Sequence, residues 1–328
     1  MTGLYDHWQR QINYLRISVT DRCNLRCLYC TAQPIARISH DDVLRYEEIY
    51  RVAQAAASLG ISKVRLTGGE PLVRLHLSRL IKMLSKIEGI DDISLTTNGI
   101  LLSKYAIGLK KAGLKRVNVS LDTLKEDRFK LMSHGDKLGE VLAGIEAAKS
   151  AGLNPVKINM VVLRGTNDDE IIDFARMTTS EGWHVRFIEL MPFGMQETGV
   201  LKTVPAQEIR ECIQSLGKLE PYTNQIGNGP AKYYRLPEAK GTIGFITPMT
   251  EHFCHSCNRL RLTSDGQLRP CLLDGDEVNL KEPLSNGVSI DELRKLIQQA
   301  VAIKRESHRL TGGLAPGIGK RPMCQIGG

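Results

Sequence analysis

The chain has no run of about eighteen apolar residues, the length a helix needs to cross a bilayer. Its opening, MTGLYDHWQRQINY, lacks the apolar stretch of an export signal. A folded cytoplasmic protein without a membrane partner is the expectation. Aromatics are scarce, 5% of 328 residues, and no helix-turn-helix, RRM or zinc-finger spacing accompanies the formal charge of +8. Nucleic acid is therefore not expected as a partner. The basic residues are spread along the chain, which suits a small polyanion better, or for any single Lys or Arg a solvated surface. There is no internal repeat beyond an alternation of strands and helices, and no low-complexity tract except the glycine-rich end, TGGLAPGIGKRPMCQIGG. In a reducing cytoplasm the eight cysteines read as metal ligands, catalytic groups or small buried hydrophobes, not disulfides.

Hydrophobic residues make up 42% of the chain, enough for one large domain or one large and one small. β-Branched segments at 14–20, 63–67, 92–97, 116–121, 156–162 and 184–190 predict strands. Helix-period stretches lie between them: YEEIYRVAQAAASL, LSRLIKMLSKI, LSKYAIGLKKAG, KLGEVLAGIEAAKSAG and TNDDEIIDFARMTTSEG. Several stop at a glycine (Gly60, Gly113, Gly152, Gly182), which tolerates the left-handed turn at a helix end. This order predicts an α/β fold with a parallel sheet, either open and doubly wound or a partial or full barrel. Functional groups then gather at the carboxyl ends of the strands, where Thr67, Thr96 to Asn98, Ser120 and Glu189 fall. Beyond residue 200 come one helix (VPAQEIRECIQSL), short strands (AKYYRL, TIGFIT, RLRLT) and a last helix near 289–304. Two regions are expected, 1–200 and 201–328, the second smaller and mostly antiparallel.

Two cysteine triplets carry the chemistry. Cys23, Cys27 and Cys30 are spaced C-x3-C-x2-C after the first strand, and Cys254, Cys257 and Cys271 are spaced C-x2-C-x13-C. Structural zinc takes four ligands, so the first triplet makes an incomplete zinc site; His252 or His255 could complete the second. A [4Fe-4S] cube held by three thiolates keeps one iron open to a non-protein ligand. Arg259 and Arg261, two apart in an extended segment, face the same way and suit phosphates or carboxylates. In LTGGEP, Gly68 and Gly69 let the backbone approach a ligand closely, and Glu70 can accept from an amino group. Arg16, Arg65, Lys157 and Arg186 fall within strands, where a buried charge is costly unless paired. Arg16 reads equally as a solvated edge residue.

The first triplet, with Tyr29 before its last cysteine and LTGGEP after the second strand, resembles the radical S-adenosylmethionine (SAM) superfamily. RISVTDRCNLRCLYC, LTTNG, VNVSLDTL, VKINMVV, RFIELMP, the FCHSCNRLRLTSDGQLRPCL block and the final Gly327-Gly328 make nearly the whole chain similar to the GTP 3',8-cyclases of molybdenum cofactor biosynthesis. The resemblance implies a partial (β/α)6 TIM-like barrel with a smaller C-terminal region carrying a second cluster. It implies two [4Fe-4S] clusters and SAM as cofactors and GTP as substrate. Cys23, Cys27 and Cys30 would hold the SAM cluster, with Tyr29, Gly68, Gly69, Glu70, Ser120 and Met191 about SAM. Cys254, Cys257 and Cys271 would hold the second cluster. Arg16, Arg65, Thr96, Lys157, Arg259, Leu260, Arg261, Gly327 and Gly328 would surround GTP, with Arg16, Lys157, Arg259 and Arg261 serving catalysis. The implied reaction takes hydrogen from C3' of the ribose with a 5'-deoxyadenosyl radical and closes C3' onto C8 of guanine, a catalysis by positioning.

The implied partners are an electron donor of flavodoxin or ferredoxin type and the next enzyme, cyclic pyranopterin monophosphate synthase, with a homodimer left open. Two other classes stand beside this reading. A peptide-modifying radical SAM enzyme with an auxiliary cluster would usually bring more than three C-terminal cysteines and needs no Arg259/Arg261 pair. A non-enzymatic zinc protein that binds RNA leaves LTGGEP unexplained. Cys324 departs from the family pattern and reads as a small tail residue or as a competitor for the second cluster's open iron. Cys212 reads as an inert core cysteine, and the histidines form no site by spacing.

Overall fold

The computed structural model describes residues 3–30, 37–191, 201–223, 227, 229–308 and 321–327. Six strands follow the predicted segments: β1 (Tyr14–Ser18), β2 (Lys63–Thr67), β3 (Asp92–Thr97), β4 (Arg116–Ser120), β5 (Val156–Val162) and β6 (His184–Glu189). Neighbours in this series pair in parallel. The crossovers carry helices α1 (Tyr46–Ser58), α2 (Leu77–Leu84), α3 (Leu102–Ala112), α4 (Glu126–Ser133), α5 (Leu138–Ser150) and α6 (Ile171–Ser180). Two of the predicted helix stops, Gly60 and Gly113, have φ of 98° and 111°, a conformation that a Cβ would strain.

The C-terminal strands do not form a sheet of their own. After α7 (Ala206–Gln214) come β7 (Glu220–Pro221), β8 (Lys232–Arg235) and β9 (Thr242–Ile246), then β10 (Arg259–Leu262), β11 (Gln267–Arg269) and β12 (Val278–Asn279). β9 joins β6 in parallel and carries β8 and β7 antiparallel; β10 joins β1 in parallel and carries β11 and β12 antiparallel. One twelve-stranded sheet results, in the order β12-β11-β10-β1-β2-β3-β4-β5-β6-β9-β8-β7, and it does not close. β1 is thus a central strand, and Arg16 is no edge residue. Helices α8 (Lys281–Ser285), α9 (Ile290–Ala302) and α10 (Met323–Ile326) complete the fold. Among the described residues no helix is long and apolar enough to cross a membrane.

Side chains alternate across each strand. Leu15, Ile17, Val64, Leu66, Phe187 and Phe245 pack with Ile49, Val52, Leu80, Ile81 and Phe174 of the helices in one apolar core. The opposite face carries Arg16, Arg65, Arg186 and Arg261. In α7 the core-facing residues are Ala206, Ile209 and Ile213. Cys212 falls off that stripe and is exposed, so it is not the core cysteine its apolar neighbours suggest.

Phe187 is buried and stacks on Phe245 with ring centroids 6.1 Å apart. Phe187→Ala is expected to cost about 3–5 kcal/mol, read as a lowered urea midpoint with an unchanged slope.

Candidate active site

A single cavity is lined by residues from β10, β1, β2, β3, β4, β5, β6 and β9 and by all six cysteines of the two triplets. Strands this far apart in the sheet can share a cavity only if the sheet curls around it. The cavity's charge is set by strand register. Arg261, Arg16 and Arg65 lie side by side on three adjacent parallel strands. One strand further the belt turns polar, where Ser94 accepts from Arg65 Nε at 3.1 Å. On the far side Asn159 of β5 stands in register with Arg186 of β6.

These cations crowd one another. Burial and then Arg261 hold the Arg16 guanidinium well below its ordinary range. Burial brings Arg65 down to about 10, with Arg186 and Arg116 adding repulsion, and burial with Arg259 brings Arg261 to about 9. Arg186 is buried, with Nε and Nη2 lacking partners among the described residues; so is Oδ1 of Asn159. Gly244 opposite leaves the room that Arg186 fills, since a Cβ there would lie 3.0 Å from Arg186 Cγ. Arg116 is neutralised within the protein, its Nε and Nη2 both donating to Asp92.

The first triplet sits on the loop after β1, and neighbouring loops hold it. Gly69 N–H donates to Thr20 O at 2.7 Å, and Glu70 N–H to Arg22 O at 2.8 Å. A Cβ on Gly68 would lie 2.6 Å from Thr20 O, and one on Gly69 2.4 Å from Arg22 O. The close approach these glycines permit is thus to the cysteine loop itself. The buried Glu70 carboxylate accepts from Leu72 N–H, Thr97 Oγ1–H and Asn98 N–H at 3.0, 2.7 and 2.7 Å, tying the β2 and β3 loops together. Burial pushes its pKa up to about 7 despite these donors. Asn98 in turn donates to Asn24 at 2.8 Å and reaches Cys23 Sγ at 4.0 Å. Tyr29 donates to Asp122 at 2.7 Å, and the same carboxylate accepts from Val161 N–H at 2.8 Å. Burial, followed by Asp122 and the neighbouring thiols, pushes Cys27 well up; burial brings Cys23 to about 11.

The second triplet begins in a single turn, Cys254–Ser256, with Cys257 just before β10 and Cys271 just after β11. Arg10 holds it by donating to Cys254 O at 2.6 Å and to the carbonyls of Glu306 and Arg305, with its Nε on Asp6 at 2.6 Å. Burial would raise Cys257, but Arg259 and Lys304 outweigh it and bring this thiol down to about 6. His252 faces Pro248 O at 2.8 Å and His308 at 3.1 Å, so its Nδ1 is engaged away from the sulfurs.

Of the residues expected around the cofactor and the substrate, Arg16, Tyr29, Arg65, Gly68, Gly69, Glu70, Thr96, Ser120, Met191, Arg259 and Arg261 line the cavity. Lys157 lies beside it, donating to Tyr233 Oη at 3.1 Å. Leu260 points to the opposite face and is buried in the apolar core, as alternation along β10 requires. Gly327 accepts from Arg261 Nη1 at 2.8 Å, and a Cβ on it would lie 2.5 Å from Thr67 Oγ1. Gly328 lies outside the described residues. Cys324 is buried near the first triplet, not the second: burial and the Cys324 thiol together push Cys30 up, and Cys23 in turn acts on Cys324. Asn98, expected at a strand carboxyl end, lines the cavity. Asp122, Asn159 and Lys304 were not singled out from the sequence; Asp122 stands at a strand carboxyl end, a signal that could have found it, and Lys304 gave none.

Residues 17–178 match the radical SAM superfamily, and residues 183–310 match the family described as Molybdenum Cofactor Synthesis C. A GTP 3',8-cyclase of Pelotomaculum thermopropionicum is 53% identical over 99% of this chain and 100% of its own. One from Moorella thermoacetica is 51% identical over the same shares. Among solved structures, Streptococcus suis SuiB bound to S-adenosylmethionine superposes on 88% of this chain and 68% of its own, with a TM-score of 0.64 and 16% identity, a likeness of fold.

Gly69→Ala sets a methyl against the Arg22 carbonyl. A loss of about 1–3 kcal/mol is expected, together with faster alkylation of Cys23 as its loop lifts, followed by peptide mass spectrometry.

Proposed function

This chain belongs to the GTP 3',8-cyclase family of the radical SAM superfamily, and from that premise we propose how its residues divide the work. It is a radical SAM enzyme of molybdenum cofactor biosynthesis that acts on GTP with SAM and an iron-sulfur cluster. We assign that cluster to Cys23, Cys27 and Cys30 and a second cluster to Cys254, Cys257 and Cys271. What carries the reading is one cavity with a thiol triplet at each end and a belt of buried cations between them. The donor sets fit: three thiols at each end leave one iron of a cube for SAM or substrate, and Asn159 and Arg186, lining the space between, carry buried polar atoms without a partner among the described residues.

When bound, the first cluster with SAM supplies the 5'-deoxyadenosyl radical that draws hydrogen from C3'. The remaining work is positioning by the chain. Arg16, Arg65, Arg186 and Arg261 hold the triphosphate, whose charge relieves their mutual repulsion. Arg259 and the second triplet hold the guanine end so that C8 stays near C3', the geometry that makes ring closure intramolecular. Asp122 fixes the Tyr29 ring beside the first triplet, and Glu70 keeps the loops about SAM in one arrangement. Residues 1–200 form the radical-generating region and 201–328 the substrate region in this reading. We further read the chain as cytoplasmic, reduced by a flavodoxin or ferredoxin and passing its product to cyclic pyranopterin monophosphate synthase.

Anaerobically reconstituted protein given SAM, dithionite and GTP is expected to release 5'-deoxyadenosine and 3',8-cyclo-7,8-dihydro-GTP, both followed by mass spectrometry. SAM cleavage with GTP unchanged would return the substrate to question. Cys23→Ser should abolish SAM cleavage, whereas Cys271→Ser should keep part of it and lose the nucleotide product. Equal loss of cleavage in both would argue against separate roles.

Lys157 adds a pH signature. Burial, then Arg186, Arg116 and Arg65, brings its amine down to about 6. At pH 7.5 that amine is mostly neutral, and a bound polyanion restores it toward the ordinary lysine range near 10. GTP binding should therefore take up a proton between about pH 6 and 10, measured by calorimetry in buffers of different ionisation enthalpy. Lys157→Met should remove the uptake and weaken GTP binding about tenfold or more.

A further inference from the structure

Lys304 follows α9 and has no part in the steps above. It is 4% exposed. Its ammonium carries three donors, and three acceptors meet them: Cys257 Sγ at 3.6 Å, Arg259 O at 3.1 Å and Pro270 O. Those acceptors lie on both halves of the second triplet, one being the Cys257 sulfur and another the carbonyl before Cys271. Cys271 feels the same positive charge. Two carbonyls suffice for a strut; a sulfur as third partner of a buried cation is a choice of charge.

The two triplets also differ in their surroundings. Cys23 and Cys27 look onto the carboxylates Glu70 and Asp122. Cys257 looks onto Arg259 and Lys304. Hydrogen bonds and positive charge at the ligating sulfurs stabilise the more negative, reduced state of an iron-sulfur cluster, and carboxylates oppose it.

We propose that Lys304 is a positioning residue of the second cluster, joining the Cys257 and Cys271 segments and setting both the hold on the cluster and its reduction potential above that of the first. This rests on the assignment of a cluster to Cys254, Cys257 and Cys271. Such partners around a metal site change affinity by about ten- to a hundredfold when removed.

The test compares wild type, Lys304→Gln, Lys304→Met and Lys304→Arg after anaerobic reconstitution, by iron and sulfide content, the rate of iron loss to a chelator, and an EPR-monitored redox titration. Wild type should hold two cubes' worth of iron, with the second cluster titrating at the higher potential. Lys304→Gln keeps amide donors for the carbonyls but no charge. In it the second cluster should titrate lower and lose iron at least about tenfold faster, with the first cluster's signal unmoved. Lys304→Met should do the same more severely, and Lys304→Arg should restore most of both. A second cluster in Lys304→Gln with wild-type potential and retention overturns the role given to Lys304. Wild-type protein that takes up one cube's worth overturns the two-cluster assignment, and the inference with it.

Discussion

Three arginines in register on adjacent strands are the constraint around which this molecule is arranged. Unit charges one strand spacing apart repel by about 3 kcal/mol at an effective dielectric of about 20, and Arg261, Arg16 and Arg65 make two such pairs. The side chains can splay, so this is an upper figure, yet Arg186 and Arg259 face the same cavity. The fold supports the arrangement from its other face, where alternate residues of the same strands bury against the helices without a polar atom. An apolar outer face and a cationic inner face on one strand make the site a source of instability that a polyanion would relieve. Stability held back at a site in this way is a common exchange for function.

The thiols at either end of the cavity meet opposite fields. At one end the loops are laced by a carboxylate, Glu70, that uses its oxygens on three donors and fixes the β2 and β3 loops. At the other the lacing is cationic, with Arg10 and Lys304 reaching in from segments at opposite ends of the described chain. The same task of holding a cysteine loop is thus done with opposite charge. That difference separates the two ends electrically while they share one space.

Much of this was legible beforehand, and the rest was not for identifiable reasons. The six βα strands matched their apolar segments closely because a parallel strand covered by helices is written as a short β-branched run. The mostly antiparallel character of the C-terminal strands was legible too, but which strand pairs with β10 or β9 is not written that way, since periodicity describes a strand's faces and not its neighbours. Leu260 was placed at the site by the family resemblance, though alternation along β10 sends it into the core. Cys212 fails for the related reason that the apolar stripe of α7 passes to one side of it. Gly68 and Gly69 line the cavity as expected, and the sequence did not show that they also pack against the carbonyls of the preceding loop. Cys324 could not be assigned to a triplet because its place follows from long-range contacts such as that of Arg261 with Gly327, which sequence spacing does not encode.

β1 is completed on one side by β10, so Tyr14 finds its partner in Arg259. A chain growing from its N-terminus at about 5–20 residues per second spends many seconds with that edge of the sheet unfilled. An open edge of a strand bearing Leu15 and Ile17 is a template for wrong pairing with other chains. Arg16 sits between those two residues, and in the unfinished sheet its charge would be the local deterrent to such pairing. The residue proposed to grip a phosphate in the finished protein would then serve, during synthesis, as a guard on its most vulnerable seam.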